Sequence, residues 1–163
     1  MNAAADTRRV LTTRDEVLSM AVEIADLAHR SLAIFSHALD PAVYDQPRFL
    51  DTVKRLALVR INARVRVVIV DVGRAAQYNQ RFLTLGQRLP SIVEFRRVGE
   101  KHREHEETFI VADATALIFQ PSRESWDAIA DTNAPAIAKK HLTAFDEMWE
   151  QSVPDPNLQR LSV

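Results

Sequence analysis

Cysteine is absent from the 163 residues. That excludes a disulfide framework, thiolate catalysis and any thiolate-bound metal, and it agrees with a reducing compartment. Glycine is almost as scarce, with three in all, so there is no Gly-rich loop of the kind that cradles a pyrophosphate. No apolar stretch approaches the roughly 20 residues that span a bilayer, and residues 1–9 (MNAAADTRR) lack the apolar core of a signal peptide. A cytoplasmic location and no membrane association are the resulting expectations. Charge of one sign is also missing. Twenty-one basic against twenty-two acidic side chains leave a formal net charge of −1, which gives no global field to draw in nucleic acid or an anionic membrane. Nucleic acid is therefore not a favoured partner and would need a local basic patch. No cofactor is expected.

What is present suits a globular protein. The hydrophobic fraction of 47% is enough to form one substantial core, and the length fits one domain. The chain reads as a flexible N-terminus over residues 1–12, one domain over 13–152 and a C-terminal tail over 153–163. Helical spacing of Val17, Met20, Ala21, Ile24 and Leu27 predicts a helix over residues 13–29, with Thr13 as N-cap and Glu16 in the capping-box position. Residues 31–36 form a short apolar run suited to a buried strand. A second amphipathic helix over 47–59 rests on Phe49, Leu50, Val53 and Leu56. The run over 64–71 alternates and then becomes continuously apolar, as a strand covered on both faces does. A third helix is expected over 75–89, a strand over 91–98 and a last helix over 134–149, ended by Pro154 and Pro156. Between them, residues 105–119 carry charged groups, an apolar run, the turn Asp113-Ala114-Thr115 and a second apolar run, which together predict a hairpin. Helices alternating with strands imply an α/β sandwich: a mostly parallel central sheet, an antiparallel hairpin and flanking helices.

In such sheets ligands collect beyond the carboxyl ends of the parallel strands. His37, Asp40 and Asp71 follow predicted strands and so are candidates for one rim. His37 with Asp40 and Tyr44 suits a binding cleft with imidazole as donor or base, although Asp40 before Pro41 also suits a turn cap. His102 and His105 stand three apart among carboxylates, a spacing that suits metal ligation from a helix. A strand would point the two rings to opposite faces, so no metal site is assigned. Arg96, Arg97, Lys101 and Arg103 are read as surface ion pairs with the neighbouring glutamates. Trp126 and Trp149 are read as core or interface anchors rather than base-stacking platforms.

The hairpin resembles the signature of the phospholipase D superfamily, in which His-x-Lys, four residues and an Asp open onto the site. Aligning the apolar run and Asp113 puts Glu106 at the position of the nucleophilic His and Thr108 at that of the Lys, while His105 falls one residue out of register. The order of elements over residues 18–149 is similar to one phospholipase D-like half. Ser36-His37-Ala38-Leu39-Asp40-Pro41-Ala42-Val43-Tyr44-Asp45 and Phe145-Asp146-Glu147-Met148-Trp149-Glu150-Gln151-Ser152 further resemble an uncharacterised bacterial domain found alone or behind GNAT-type acetyltransferases. The resemblance implies a homodimer, since half-sized members pair to complete the cleft. It also implies a phosphate-contacting turn near Ser122 and Arg123, where Pro121 stands in place of the family's Gly. With Glu106 and Thr108 at the key positions, the expected role is a catalytically degenerate binding or regulatory module. Two alternatives stay open: a phosphodiesterase or nuclease using His37, His105, Glu106 and Asp113, and a structural partner of a neighbouring enzyme such as an acetyltransferase.

Overall fold

The computed structural model describes residues 6–159. Its first helix, α1 (Arg14–Leu27), begins in a full capping box: the Thr13 hydroxyl accepts from the Glu16 N–H at 3.2 Å, and the Glu16 carboxylate accepts from the Thr13 N–H at 3.1 Å. The same carboxylate also accepts from Thr12, and these bonds hold it below the usual carboxylate range. Six more helices follow: α2 (Pro41–Tyr44), α3 (Pro47–Val59), α4 (Val72–Tyr78), α5 (Gln80–Arg88), α6 (Pro135–Glu150) and α7 (Pro156–Gln159). The helix expected over 75–89 is thus two, divided at Asn79. There the side-chain amide donates to the carbonyls of Leu39 at 2.7 Å and Ala75 at 3.1 Å.

Seven strands, β1 (Arg8–Leu11), β2 (Ser31–Ser36), β3 (Arg64–Ile69), β4 (Val93–Arg97), β5 (Thr108–Ala112), β6 (Ala116–Gln120) and β7 (Ala128–Asp131), form one sheet in the order β1-β7-β6-β5-β2-β3-β4. The fold is α/β with flanking helices, as expected, but the sheet is mixed rather than mostly parallel. Only β2–β3 and β3–β4 are parallel. The other pairs are antiparallel; for β5–β6 and β6–β7 this follows from consecutive strands with no crossover helix between them.

Part of the segment expected to be a flexible N-terminus is a strand. Residues 8–11 pair with β7 in register Arg8↔Asp131 to Leu11↔Ala128, and residues 1–5 lie outside the described residues. The C-terminal tail also joins the fold: Val153 bridges Arg97, and Leu158 is 2% exposed in the larger core. Residues 160–163 lie outside the described residues.

Strand alternation sorts the interior into two clusters. Leu32, Ile34, Val65, Val67, Ile69, Ile110 and Ile118 face α1, α3 and α5 in the larger one. Ala33, Phe35, Val68, Phe109, Val111 and Leu117 face α6 in the smaller one. This parity decides which residues at the strand ends reach the larger helical layer, where the cleft lies.

Two of the three glycines serve close approach rather than tight turns. A Cβ on Gly86 would come within 2.3 Å of the Phe95 ring, and one on Gly99 within 2.6 Å of the Gln151 carbonyl. The left-handed positions are taken instead by Leu39, Asn62, Asp113 and Ala114, with φ between 54° and 70°.

Candidate functional site

Beyond the carboxyl ends of β2 and β3 opens a cleft of about 630 Å³. Its walls come from α1, the loop after β2 with α2, α4 with the Asp71 that precedes it, the entry to β5, and the end of β6 with the loop after it. His37 follows β2, and Asp71 follows β3. Asp71 is also the N-cap of α4, its Oδ1 accepting from the Arg74 N–H at 3.1 Å. Asp40 plays both parts considered for it, lining the cleft while its Oδ1 accepts from the Ala42 N–H at 3.0 Å at the start of α2. Each capping bond engages one carboxylate oxygen and fixes the group in place.

On the opposite wall, Glu106 and Thr108 share the parity of Ile110 and therefore face the cleft. Gln120, Arg123, Glu124 and Trp126 complete that side. Arg123 Nε lies 3.3 Å from the Glu106 carboxylate. His37 is held below the ordinary histidine value of 6.5, chiefly by burial and then by Arg123, with Asp71 and Glu106 pulling the other way. Its imidazole is therefore neutral near pH 7, able to accept at one nitrogen and donate at the other. Tyr44 is 4% exposed at the cleft floor, between the rings of Phe49 and Phe82.

Residues 13–161 match the model of a domain of unknown function, DUF7931. The chain belongs to the DUF7931 family. Among curated proteins, none matches the sequence. The solved structures similar to this DUF7931 chain include the phospholipase D family member Nuc from Salmonella typhimurium, with a TM-score of 0.66 at 14% identity over 89% of this chain and 95% of that one. NucT from Helicobacter pylori is similar with a TM-score of 0.66 at 10% identity, over 91% and 98% of the two chains. Phosphatidylserine synthase from Haemophilus influenzae Rd KW20 has a TM-score of 0.65 at 12% identity; all of this chain matches 41% of that longer one. At these identities the likeness establishes the fold, which is phospholipase D-like.

Not every residue singled out in the sequence joins the cleft of the DUF7931 chain. His105 lies on the α6 face, edge-on to Phe35 with ring centroids 6.0 Å apart, its Nδ1 3.0 Å from the Glu107 carboxylate. The expectation that His102 and His105 face opposite ways is also corrected. Residues 100–102 form a 3₁₀ turn, and a further i→i+3 bond after it, from the His105 N–H to the His102 carbonyl at 3.4 Å, keeps positions 102 and 105 together. The rings stack at 5.5 Å with Nδ1 of His102 3.4 Å from Nε2 of His105. Among the described residues, no group of three or more His, Cys, Asp or Glu side chains could hold a metal ion.

Asp113 sits at the opposite end of β5, roughly 16 Å away along a five-residue strand. Its carboxylate accepts from the N–H groups of His29, Arg30 and Ser31 at 2.7, 2.8 and 3.0 Å. That is a loop-holding role, so Asp113 leaves the list of catalytic candidates. Ser122 is likewise outside the cleft; its hydroxyl accepts from the Glu124 N–H at 3.1 Å and shapes the loop that carries Arg123.

The basic segment before the hairpin forms ion pairs as expected, though with different partners. Arg96 meets Glu94 at 2.8 Å, Arg97 meets Asp155 at 3.6 Å, Lys101 meets Glu147 at 3.5 Å and Arg103 meets Glu100 at 3.2 Å. Trp149 stacks on Phe145 under the guanidinium groups of Arg66 and Arg96, whereas Trp126 packs against the larger core and lines the cleft. Sequence reasoning missed Arg74 and Asn79. Arg74 is one helical turn past Asp71, a spacing that could have flagged it. Nothing in the pattern around Asn79 announced a buried amide tied to a loop forty residues away.

Proposed function

We propose that this DUF7931 protein is a catalytically degenerate phospholipase D-like binding or regulatory module that takes a ligand in the His37–Asp71–Glu106 cleft. The observation that carries the reading is the pair Glu106 and Thr108. Both face the cleft, at the positions where the phospholipase D signature would put its nucleophilic His and its phosphate-neutralising Lys. A threonine brings no charge to a phosphoryl oxygen, and a carboxylate repels an anionic diester. The walls are otherwise those of a binding site: concave, partly apolar and provided with fixed polar groups.

The rearranged phosphodiesterase or nuclease reading needs His37, His105, Glu106 and Asp113 to act together. The separation of these residues supports the binding module over it. Dimerisation belongs to the proposal as the way in which half-sized members complete a cleft, and light scattering over a dilution series tests it. An acetyltransferase partner is a second reading, favoured by the exposed Leu58, Val59 and Ile61 at the end of α3.

The deciding test is an assay of the purified protein on a chromogenic phosphodiester and on single-stranded DNA. The expected result is no turnover above a buffer blank. Turnover that is lost in His37→Ala would replace the module reading with an enzyme.

A further inference from the structure

The charge balance of the cleft departs from what a phosphate site needs. Asp40, Asp71, Glu106 and Glu124 line it against Arg74 and Arg123, and His37 adds no charge near neutral pH because its proton affinity is lowered. One of the two guanidinium groups is already matched, since Arg123 is paired with Glu106. Asp40, Asp71 and Glu124 have no cationic side-chain partner within ion-pair distance among the described residues. The two aspartates are held rigidly by their capping bonds, each to one oxygen, so the second oxygen is placed without further loss of side-chain freedom.

A second observation points the same way. Tyr44 is 4% exposed and lines the cleft, yet its hydroxyl has no hydrogen-bond partner among the described residues. Burial, and then the nearby Asp40 carboxylate, make loss of the Tyr44 proton harder. The ring is buried while the oxygen reaches the cleft, where a ligand would meet it as a hydrogen-bonding group. The lining is also partly apolar and aromatic, through Val17, Val43 and, from the opposite wall, Trp126.

We infer that the cleft binds an alkylammonium group: a protonated amine on an apolar stem, with the ammonium between the Asp40 and Asp71 carboxylates and the stem against Val17, Val43 and Trp126. The inference rests on the binding-module reading and adds the sign and shape of the ligand. Carboxylates attract the ammonium, and the methylene stem removes apolar wall from water. Lysine side chains and free aliphatic amines share this chemistry.

The test is calorimetric titration of the full chain with n-hexylammonium, hexanoate and hexyl phosphate, which share a stem and differ in head group, followed by cadaverine and Nα-acetyl-lysine amide. Hexylammonium is expected to bind at least tenfold more tightly than either anion, with affinity falling as salt rises. Asp40→Asn and Asp71→Asn keep a capping side chain, so both are expected to retain the wild-type melting temperature while weakening hexylammonium about tenfold. Preference for cadaverine or for the lysine amide then identifies the source, and either supports the inference. Hexanoate or hexyl phosphate binding as tightly as hexylammonium overturns it and leaves a binding module of the opposite sign. No heat with any probe also overturns it. Hydrolysis of a phosphodiester is a separate result, which fails the module reading itself.

Discussion

The Glu106 carboxylate and the Arg123 guanidinium meet at 3.3 Å on one wall of the cleft, one before β5 and the other after β6. Both act on His37, in opposite directions: Arg123 disfavours its protonation and Glu106 favours it. Arg123→Gln is therefore expected to raise the His37 pKa and Glu106→Gln to lower it, as read by NMR titration of the ring protons. The pair is largely exposed, so either change should alter stability by no more than about 0.5 kcal/mol. Shifts of the same sign in both variants would show that His37 does not feel this pair.

Asn79 holds the cleft loop from beneath. It is fully buried, its Nδ2 donates to Leu39 and Ala75, and its Oδ1 is buried without a partner. Replacement by Ala leaves the Leu39 carbonyl without its donor, while the Ala75 carbonyl keeps the Asn79 backbone N–H, and is expected to cost about 1–3 kcal/mol in urea denaturation. A loss below 0.5 kcal/mol, within the range of a surface substitution, would mean that the loop keeps its shape without the amide.

Asp113→Ala should behave as a structural lesion. Three N–H groups lose their acceptor, with an expected cost of about 1–3 kcal/mol, while ligand binding at the cleft stays unchanged once the protein is folded. Normal stability with lost binding would return Asp113 to the site.

Ala114 occupies the left-handed region at φ 55°, next to Asp113 at 54°. Most side chains meet a steric penalty there that glycine does not. Ala114→Gly is expected to stabilise the protein by about 0.5–1 kcal/mol, after allowance for glycine's larger unfolded-state entropy. A lower denaturation midpoint would contradict this.

Acid should weaken the fold through two histidines. His141 lies on Phe119 and Phe109, and its proton affinity is lowered chiefly by burial and then by Lys140, against the pull of Glu107; His37 is lowered too. Between each lowered value and the ordinary 6.5, the unfolded chain holds more protons than the folded one, so stability rises with pH in that window. The contribution is whole above the window and shrinks as pH falls through it. His141→Phe, which keeps the ring contacts, should make the fall of melting temperature below about pH 6.5 shallower. Curves that superimpose would remove His141 from this account.

Local pattern was enough to read α1 with its capping box, α3, α6, β2, β3 and the hairpin, because each shows its periodicity and its end signals within a few residues. It was also enough to place His37, Asp40 and Asp71 at one rim, since residues that follow parallel strands emerge at the same end of a sheet. The period of two put Glu106 and His105 on opposite faces before any contact was known.

Other features were decided by contacts distant in sequence. The four-residue strands β1 and β7 are too short to declare themselves and exist because their edges pair across more than a hundred residues. The break at Asn79 comes from a buried amide reaching the Leu39 carbonyl. The turns from 100 to 105 join two histidines that a strand would have parted. The role of Asp113 depends on a loop some eighty residues earlier. Sequence by itself determined the elements and their faces, through side-chain periodicity and capping. Only the tertiary structure decided which polar groups became partners of one another and which were left lining the cleft, because hydrogen bonding and burial depend on how distant segments meet.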